Sequence, residues 1–293
     1  MAEVAQTDAA NRSPASSTPS LGIAAFEYQL PLDEKLRRVA ALGVDRCELA
    51  TPGDVTTSSA EACRDLVETA GIHVSAVCSL SKPNSPDGTE LGLELLEESI
   101  RCAAVLGAPA VIAYFGAHPD RPHREAIERY RELTKPMLEL AEELEISILI
   151  ENHFSHAPGD VTSGPTGCAE LIEAIGSDRF GLNFDPCNFA IAGIDEASAY
   201  EALRPYVRNV HVKDARQFDP VADADYPGRV VTDTNRGQFI FVPVGDGIAN
   251  NEVVLRALMA DGFAGTITVE GHTPQETLDA VFERGLSLCR EHV

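Results

Sequence analysis

Apolar residues in this chain gather in short runs separated by longer stretches with helical spacing. Residues 146–150 (ISILI) run without a charge into Glu151, Asn152 and His153. Such a run predicts a strand buried on both faces. Comparable runs at 21–26, 44–49, 72–79, 110–115, 180–184, 207–212 and 265–269 predict seven more strands. Between them, residues 32–42, 58–70, 90–106, 123–144, 166–175, 195–203, 252–259 and 274–291 carry apolar positions at helical spacing, and several of these segments close at a glycine such as Gly71, Gly107 or Gly176. Pro136 is expected to interrupt or kink the segment 123–144.

Strand and helix alternate about eight times. Alternation of that kind predicts a parallel sheet with right-handed crossovers, and the number and size of the units fit an α/β fold, a single-domain (β/α)8 TIM barrel over residues 21–293. An open doubly wound sheet is the rival, but no Gly-rich phosphate loop follows the first strand. Residues 216–244 form the one long stretch without a clear period, expected to be an irregular insertion lying as a lid over the barrel mouth. Residues 1–20, rich in Ala, Ser, Thr and Pro, lack the basic start and apolar centre of a secretory signal and are expected to be a disordered leader.

Charge and composition narrow the function. A net charge of −23 argues against nucleic acid and against anionic membranes as partners. No run approaches the length of a membrane span. Seven cysteines with no CxxC pair suggest reduced thiols, hence a cytoplasmic protein.

In a barrel, functional groups sit at the C-terminal ends of the strands. Those positions here are Glu48, Cys78, Tyr114, Glu151, Asp185, His211 and Glu270. Glu151, Asp185, His211 and Glu270 end four successive strands. Three carboxylates converging on one point would repel one another unless a cation sat between them. A divalent metal resolves this, and mixed carboxylate and imidazole donors suit Mn, Mg, Co, Fe or Zn. Each residue alone has a plainer reading. Asp185 before Pro186 could cap a helix, His211 could be a satisfied core histidine, and Glu151 or Glu270 could be a simple strand-end charge. Glu48 could bind a substrate hydroxyl or be a strand-end charge, and Lys213 could pair with Asp214 or face the substrate.

The segments Glu151-Asn152-His153, Gly181 to Asn188 (GLNFDPCN), His211-Val212-Lys213-Asp214, Val244-Gly245-Asp246-Gly247 and Val269-Glu270 together resemble the sugar phosphate isomerase/epimerase superfamily. This is the xylose isomerase-like barrel group with ketose 3-epimerases, hydroxypyruvate isomerase and inosose dehydratase. The resemblance implies that Glu151, Asp185, His211 and Glu270 bind one divalent metal, commonly Mn or Mg. It implies that Glu151 and Glu270 are the catalytic acid/base pair of an isomerase or epimerase working on a keto-sugar or related polyol through an enediolate. It assigns a substrate oxygen to Arg216. The chain departs from the ketose epimerases at Asn188, where a His often stands, and in the loop Asn152 to His156 (NHFSH). His153, Asn188, Lys213, Arg216 and Glu48 are therefore the candidate substrate contacts. The departures keep a second reading alive, a lyase on the same site, either a dehydratase of the inosose or dehydroshikimate type or an enzyme eliminating an aglycone from a 3-keto sugar as C-glycoside deglycosidases do. A small partner subunit would accompany the last case, a homo-oligomer the others. No Arg/Lys cluster stands out in the sequence, which points to a nonphosphorylated sugar. A nuclease of the same barrel group is disfavoured by the charge and by the few histidines.

Overall fold

The computed structural model describes residues 18–86 and 88–293. Residues 1–17 of the expected leader lie outside these, and Ser20 already belongs to the first strand. Eight parallel strands close into a barrel. They are β1 (Ser20–Ala24), β2 (Arg46–Thr51), β3 (His73–Ser79), β4 (Ala110–Ala113), β5 (Ser147–Glu151), β6 (Phe180–Phe184), β7 (Val207–Val212) and, in eighth place, β11 (Thr266–Val269). Around the barrel the order is β1-β11-β7-β6-β5-β4-β3-β2. The outer helices are α1 (Leu32–Ala41), α2 (Ala60–Ala70), α3 (Thr89–Leu106), α4 (His123–Glu143), α5 (Pro165–Ile175), α6 (Pro186–Ala192), α7 (Glu196–Leu203), α8 (Asn251–Ala260) and α9 (Leu278–His292). The helix α4 runs through Pro136 without ending there.

The strand period of two decides what each side chain meets. On β5, Ile148 and Ile150 join the main apolar core between barrel and helices, whereas Leu149 packs with Ala76, Ala110 and Ile112 in a small separate cluster inside the barrel. Glu151 shares the inward parity of Leu149. On β6, Phe180, Leu182 and Phe184 belong to the outer core, so Asn183 and Asp185 turn inward. On β7 the outward Val210 and Val212 leave Asn209, His211 and Lys213 on the inner face. Register places Glu151 beside Asn183, Asn183 beside Asn209 and His211 beside Thr268. The interior of the barrel is thus apolar on one side and polar on the other.

The expected irregular insertion carries a small sheet. β8 (Asp214–Gln217), β9 (Val230–Asp233) and β10 (Gly237–Val242) form an antiparallel sheet in the order β8-β10-β9. Ala215, Val231, Phe239 and Phe241 pack its buried face on Phe154, Cys187 and Ile191 at the mouth. The sheet is fastened at its root by Asp214. This carboxylate does not pair with Lys213; it accepts backbone N–H bonds from Ala215, Gly245, Gly247 and Ala249 at 2.9–3.0 Å. Gly247 is required there, because a Cβ would lie 2.1 Å from Asp214 Oδ1 and 2.3 Å from the Ala215 carbonyl oxygen. The 244–247 turn is therefore a clasp on Asp214.

Candidate metal centre

Glu151 ends β5, Asp185 immediately follows β6, His211 lies on β7 and Glu270 immediately follows β11. All four are nearly or fully buried. Each offers one donor atom, and these atoms all lie within 4.8 Å of one another. His211 Nδ1 stands 3.5 Å from Glu151 Oε2 and 3.4 Å from Glu270 Oε2.

A layer of hydrogen bonds beneath the cluster fixes the donors. Glu48 Oε2 is 2.9 Å from His211 Nε2, which orients the ring with Nδ1 toward the carboxylates of Glu151 and Glu270. Glu48 Oε1 accepts from Asn209 Nδ2 at 3.0 Å and from Thr268 Oγ1 at 2.6 Å. Asn209 also donates to Asn183 Oδ1 at 2.8 Å, and Asn183 donates to Glu151 Oε2 at 3.2 Å. Asn188 donates from Nδ2 to Glu151 Oε1 at 2.9 Å and to the Asn152 carbonyl at 3.0 Å. Asn152 exchanges two 2.8 Å bonds with the backbone of Asp185. Asp185 caps α6, Oδ1 accepting from the Asn188 N–H at 2.9 Å.

The other oxygen, Asp185 Oδ2, and His211 Nδ1 are buried without a hydrogen-bond partner. Lys213 Nζ approaches Asp185 Oδ2 to 2.7 Å as an ion pair, outside hydrogen-bond alignment. A buried carboxylate oxygen and a buried ring nitrogen, both without a hydrogen-bond partner and flanked by two more carboxylates, match the donor set a divalent cation takes. The His211 ring, held from behind by a carboxylate, has the support that metal-binding imidazoles have. The residues present therefore fit a metal ion.

Lys213 also donates to Glu270 Oε2 at 2.6 Å. The carboxylates are unequal. Burial pushes Glu151 up to about 7, against the opposing pull of Lys213 and His211. Burial acts on Glu270 as well, but Lys213, His211 and His272 outweigh it and hold this carboxyl well below the usual range. Behind Glu270, His272 Nδ1 lies 2.7 Å from Glu27 Oε1, and its backbone N–H donates to Glu27 Oε2 at 2.5 Å. Burial opposes charge on His272, yet Glu27 and Glu270 lift it to about 9. His272 holds φ +51°, a strained value for a residue with a Cβ.

The cluster opens into a cavity of about 180 Å³ whose walls include Cys78, Tyr114, His153, Lys213, Phe241 and His272, with Glu151 and Glu270 at its base. Burial, with His156 and Lys213 adding to it, pushes His153 well below the ordinary imidazole range, so the ring is neutral.

A model of the Xylose isomerase-like TIM barrel family matches residues 36–292. The chain belongs to this family. Among xylose isomerase-like barrels, it is similar to the L-ribulose-5-phosphate 3-epimerase UlaE of Escherichia coli (strain SE11), 24% identical over 270 residues, 85% of this chain and 86% of the relative. Solved structures share the fold. A xylose isomerase domain protein from Planctomyces limnophilus superposes with a TM-score of 0.74 at 19% identity, covering 94% of this chain and 96% of that one. An L-ribulose 3-epimerase gives 0.72 at 18%, covering 94% of both chains. The IOLI protein, solved with a zinc atom bound, gives 0.73 at 17%, covering 94% and 99%.

Of the residues singled out in the sequence, the structure brings Glu151, Asp185, His211, Glu270 and Lys213 together and puts His153 on the cavity wall. Three expected substrate contacts are elsewhere. Glu48 is midway along β2, fully buried beneath His211, because its inward position falls one layer below the mouth. Asn188 is sealed from solvent by its bonds to Glu151 and Asn152. Arg216 lies on β8 outside the cavity and forms a two-pronged ion pair with Asp223 at 2.8 and 2.5 Å. Sequence reasoning missed Asn183, Asn209 and Thr268, although a polar residue at every second position of an apolar strand is a visible signal. It also missed Glu27, which nothing in its own segment marks.

Proposed function

We propose that this protein is a metal-dependent epimerase or isomerase of a keto-sugar or related polyol, acting through an enediolate. The observation that carries the reading is the placement of two carboxylates of opposite acid strength, Glu151 and Glu270, on strands separated by β6 and β7, at the base of one cavity and beside one cation-binding donor set. Glu151, Asp185, His211 and Glu270 would hold the ion, with Mn or Mg the first candidates. A bound divalent cation supplies Lewis-acid polarisation to adjacent carbonyl and hydroxyl oxygens.

The remaining chemistry belongs to the side chains. Glu270, kept ionised by Lys213 and His211, removes the proton from the carbon next to the carbonyl, and the electron pair of that C–H bond moves to form the enediolate. Glu151, the carboxyl that burial raises, returns a proton to the opposite face. Groups with pKa values pushed apart in this way divide the roles of base and acid. Neutral His153 and Tyr114 orient the sugar hydroxyls. Phe154 and Phe241 keep water from the reacting carbon. Seven buried, unpaired cysteines support a reducing compartment such as the cytoplasm.

Lys213 favours a second reading. Epimerisation needs two proton-transfer groups, and this ammonium on the cavity wall is a third, able to protonate a departing hydroxyl in a dehydration. Incubation of the Mn-loaded protein with ketoses in D2O separates the two readings. A product of unchanged connectivity carrying one deuterium at the exchanged carbon supports the epimerase. Loss of one water supports the lyase, and no exchange with any ketose overturns the proposal.

A further inference from the structure

The cavity over the metal centre continues into a second one of about 200 Å³, the two sharing Lys82, Tyr114, His153 and His156 as walls. The outer compartment adds Ser85, Gly116, Ala117, Thr162 and the carboxylate of Asp160. Basic side chains from three distant segments meet on the wall of the inner cavity. Lys82 follows β3, His156 follows β5, and Arg229 precedes β9 in the capping sheet. Lys82 and Arg229 both lie close enough to His156 to disfavour its charged form, after burial itself.

These groups are unspent. Among the described residues, nearly every other Lys and Arg makes an ion pair or a side-chain hydrogen bond, whereas Lys82 and Arg229 make neither and His156 donates no side-chain bond. Lys82 Nζ lies only over the Tyr114 ring, 5.7 Å from its centroid. The nearby acids are partly committed elsewhere. Asp233 accepts from the N–H groups of Ser155, Asn235 and Arg236, and Asp160 Oδ1 accepts from Thr162 N and Oγ1.

The segments are also braced. The Lys82 loop is tied to the end of β4 through Tyr114 N to Ser81 O and Asn84 N to Phe115 O, both 3.2 Å. Arg121 Nη1 donates to Asn84 Oδ1 at 2.7 Å. The His156 loop is tied to the capping sheet by Ser155 N to Asp233 and by Thr234 Oγ1 to Ser155 Oγ, 2.8 Å. A chain of net charge −23 repels anions in general, so two unpaired cations, Lys82 and Arg229, beside His156 on the wall of the cavity that holds the reactive carboxylates form a selective feature.

We propose that Lys82, Arg229 and His156 form an anion subsite that holds the terminal oxyanion of the substrate, a phosphate or a carboxylate, while the keto end lies at the metal centre. This rests on the sugar reading above and names its substrate class, and it replaces the nonphosphorylated sugar expected from sequence. Recognition comes from ion pairs and charge-assisted hydrogen bonds to the oxyanion.

Calorimetric titration of the Mn-loaded protein with a ketopentose, its terminal phosphate ester and the matching sugar acid tests the subsite by affinity rather than by rate. The expected result is binding of one anionic ligand about tenfold or more tighter than the neutral ketose, and the better of the two names the source of the oxyanion. Lys82→Met and Arg229→Met should remove that preference and leave neutral-ketose affinity unchanged, which also shows that the variants are folded. Equal affinity for all three ligands, or variants that weaken all three alike, overturns the subsite. Anion preference without deuterium exchange would keep the subsite and sink the epimerase reading; exchange without preference would do the reverse.

Discussion

Glu48 accepts the Nε2 hydrogen of His211 yet is sealed from the cavity, so its replacement separates tuning of the donor set from contact with substrate. Glu48→Gln should weaken Mn binding about 10–100-fold, read by calorimetry, because the amide can no longer hold the imidazole with a charge. Arg216→Ala should leave kcat/KM unchanged, since its guanidinium is committed to Asp223, whereas Lys213→Met should lower kcat/KM sharply through loss of the cation that keeps Glu270 ionised. Loss of activity in the Arg216 variant would return that residue to the substrate. The four clustered residues were legible as a group because each stands at or beside the end of an apolar strand with a group that burial penalises. Glu48 was read as a substrate contact because sequence gives the face of a strand but not the depth of a layer, and Asn188 because it departs from the ketose epimerases, which says nothing of its burial on α6. Lys82, His156 and Arg229 were not legible as a group, since only the closed barrel and the ordered insertion bring them to one cavity wall.

At the scale of elements, the barrel strands were readable from their apolar runs and the helices from their spacing and terminal glycines. The capping sheet was not. Its strands are short, β9 alternates exposed and buried residues, and the polar, Gly- and Pro-containing residues between β8 and β9 hide the strand period. α6 was missed because its seven residues are too few for a helical period, and Asp185 serves both as its cap and as a donor of the cluster. Asp214, which accepts four backbone N–H groups, links β7 to the sheet and to the 244–247 turn. Asp214→Ala leaves those buried donors unpaired and should cost at least about 1–3 kcal/mol of stability, seen as a lower urea midpoint. An unchanged midpoint would show that the clasp adds nothing to the fold.

For the whole molecule, a cation that binds the folded chain alone stabilises it by mass action, by about 2.7 kcal/mol at one hundred times its Kd. Saturating Mn or Mg should therefore raise Tm, and chelator should return it to the metal-free value. Added NaCl should raise Tm as well, since a net charge of −23 places self-repulsion on the compact state and salt screens it. The most direct test is Mn stoichiometry in the parent protein and in Asp185→Asn, a change that keeps an N-cap acceptor for α6 but removes the charged donor. The parent should take up one Mn per chain and the variant should lose it while remaining folded by circular dichroism. No uptake by the parent, or equal uptake by the variant, would contradict the metal centre and the proton-transfer roles built around it.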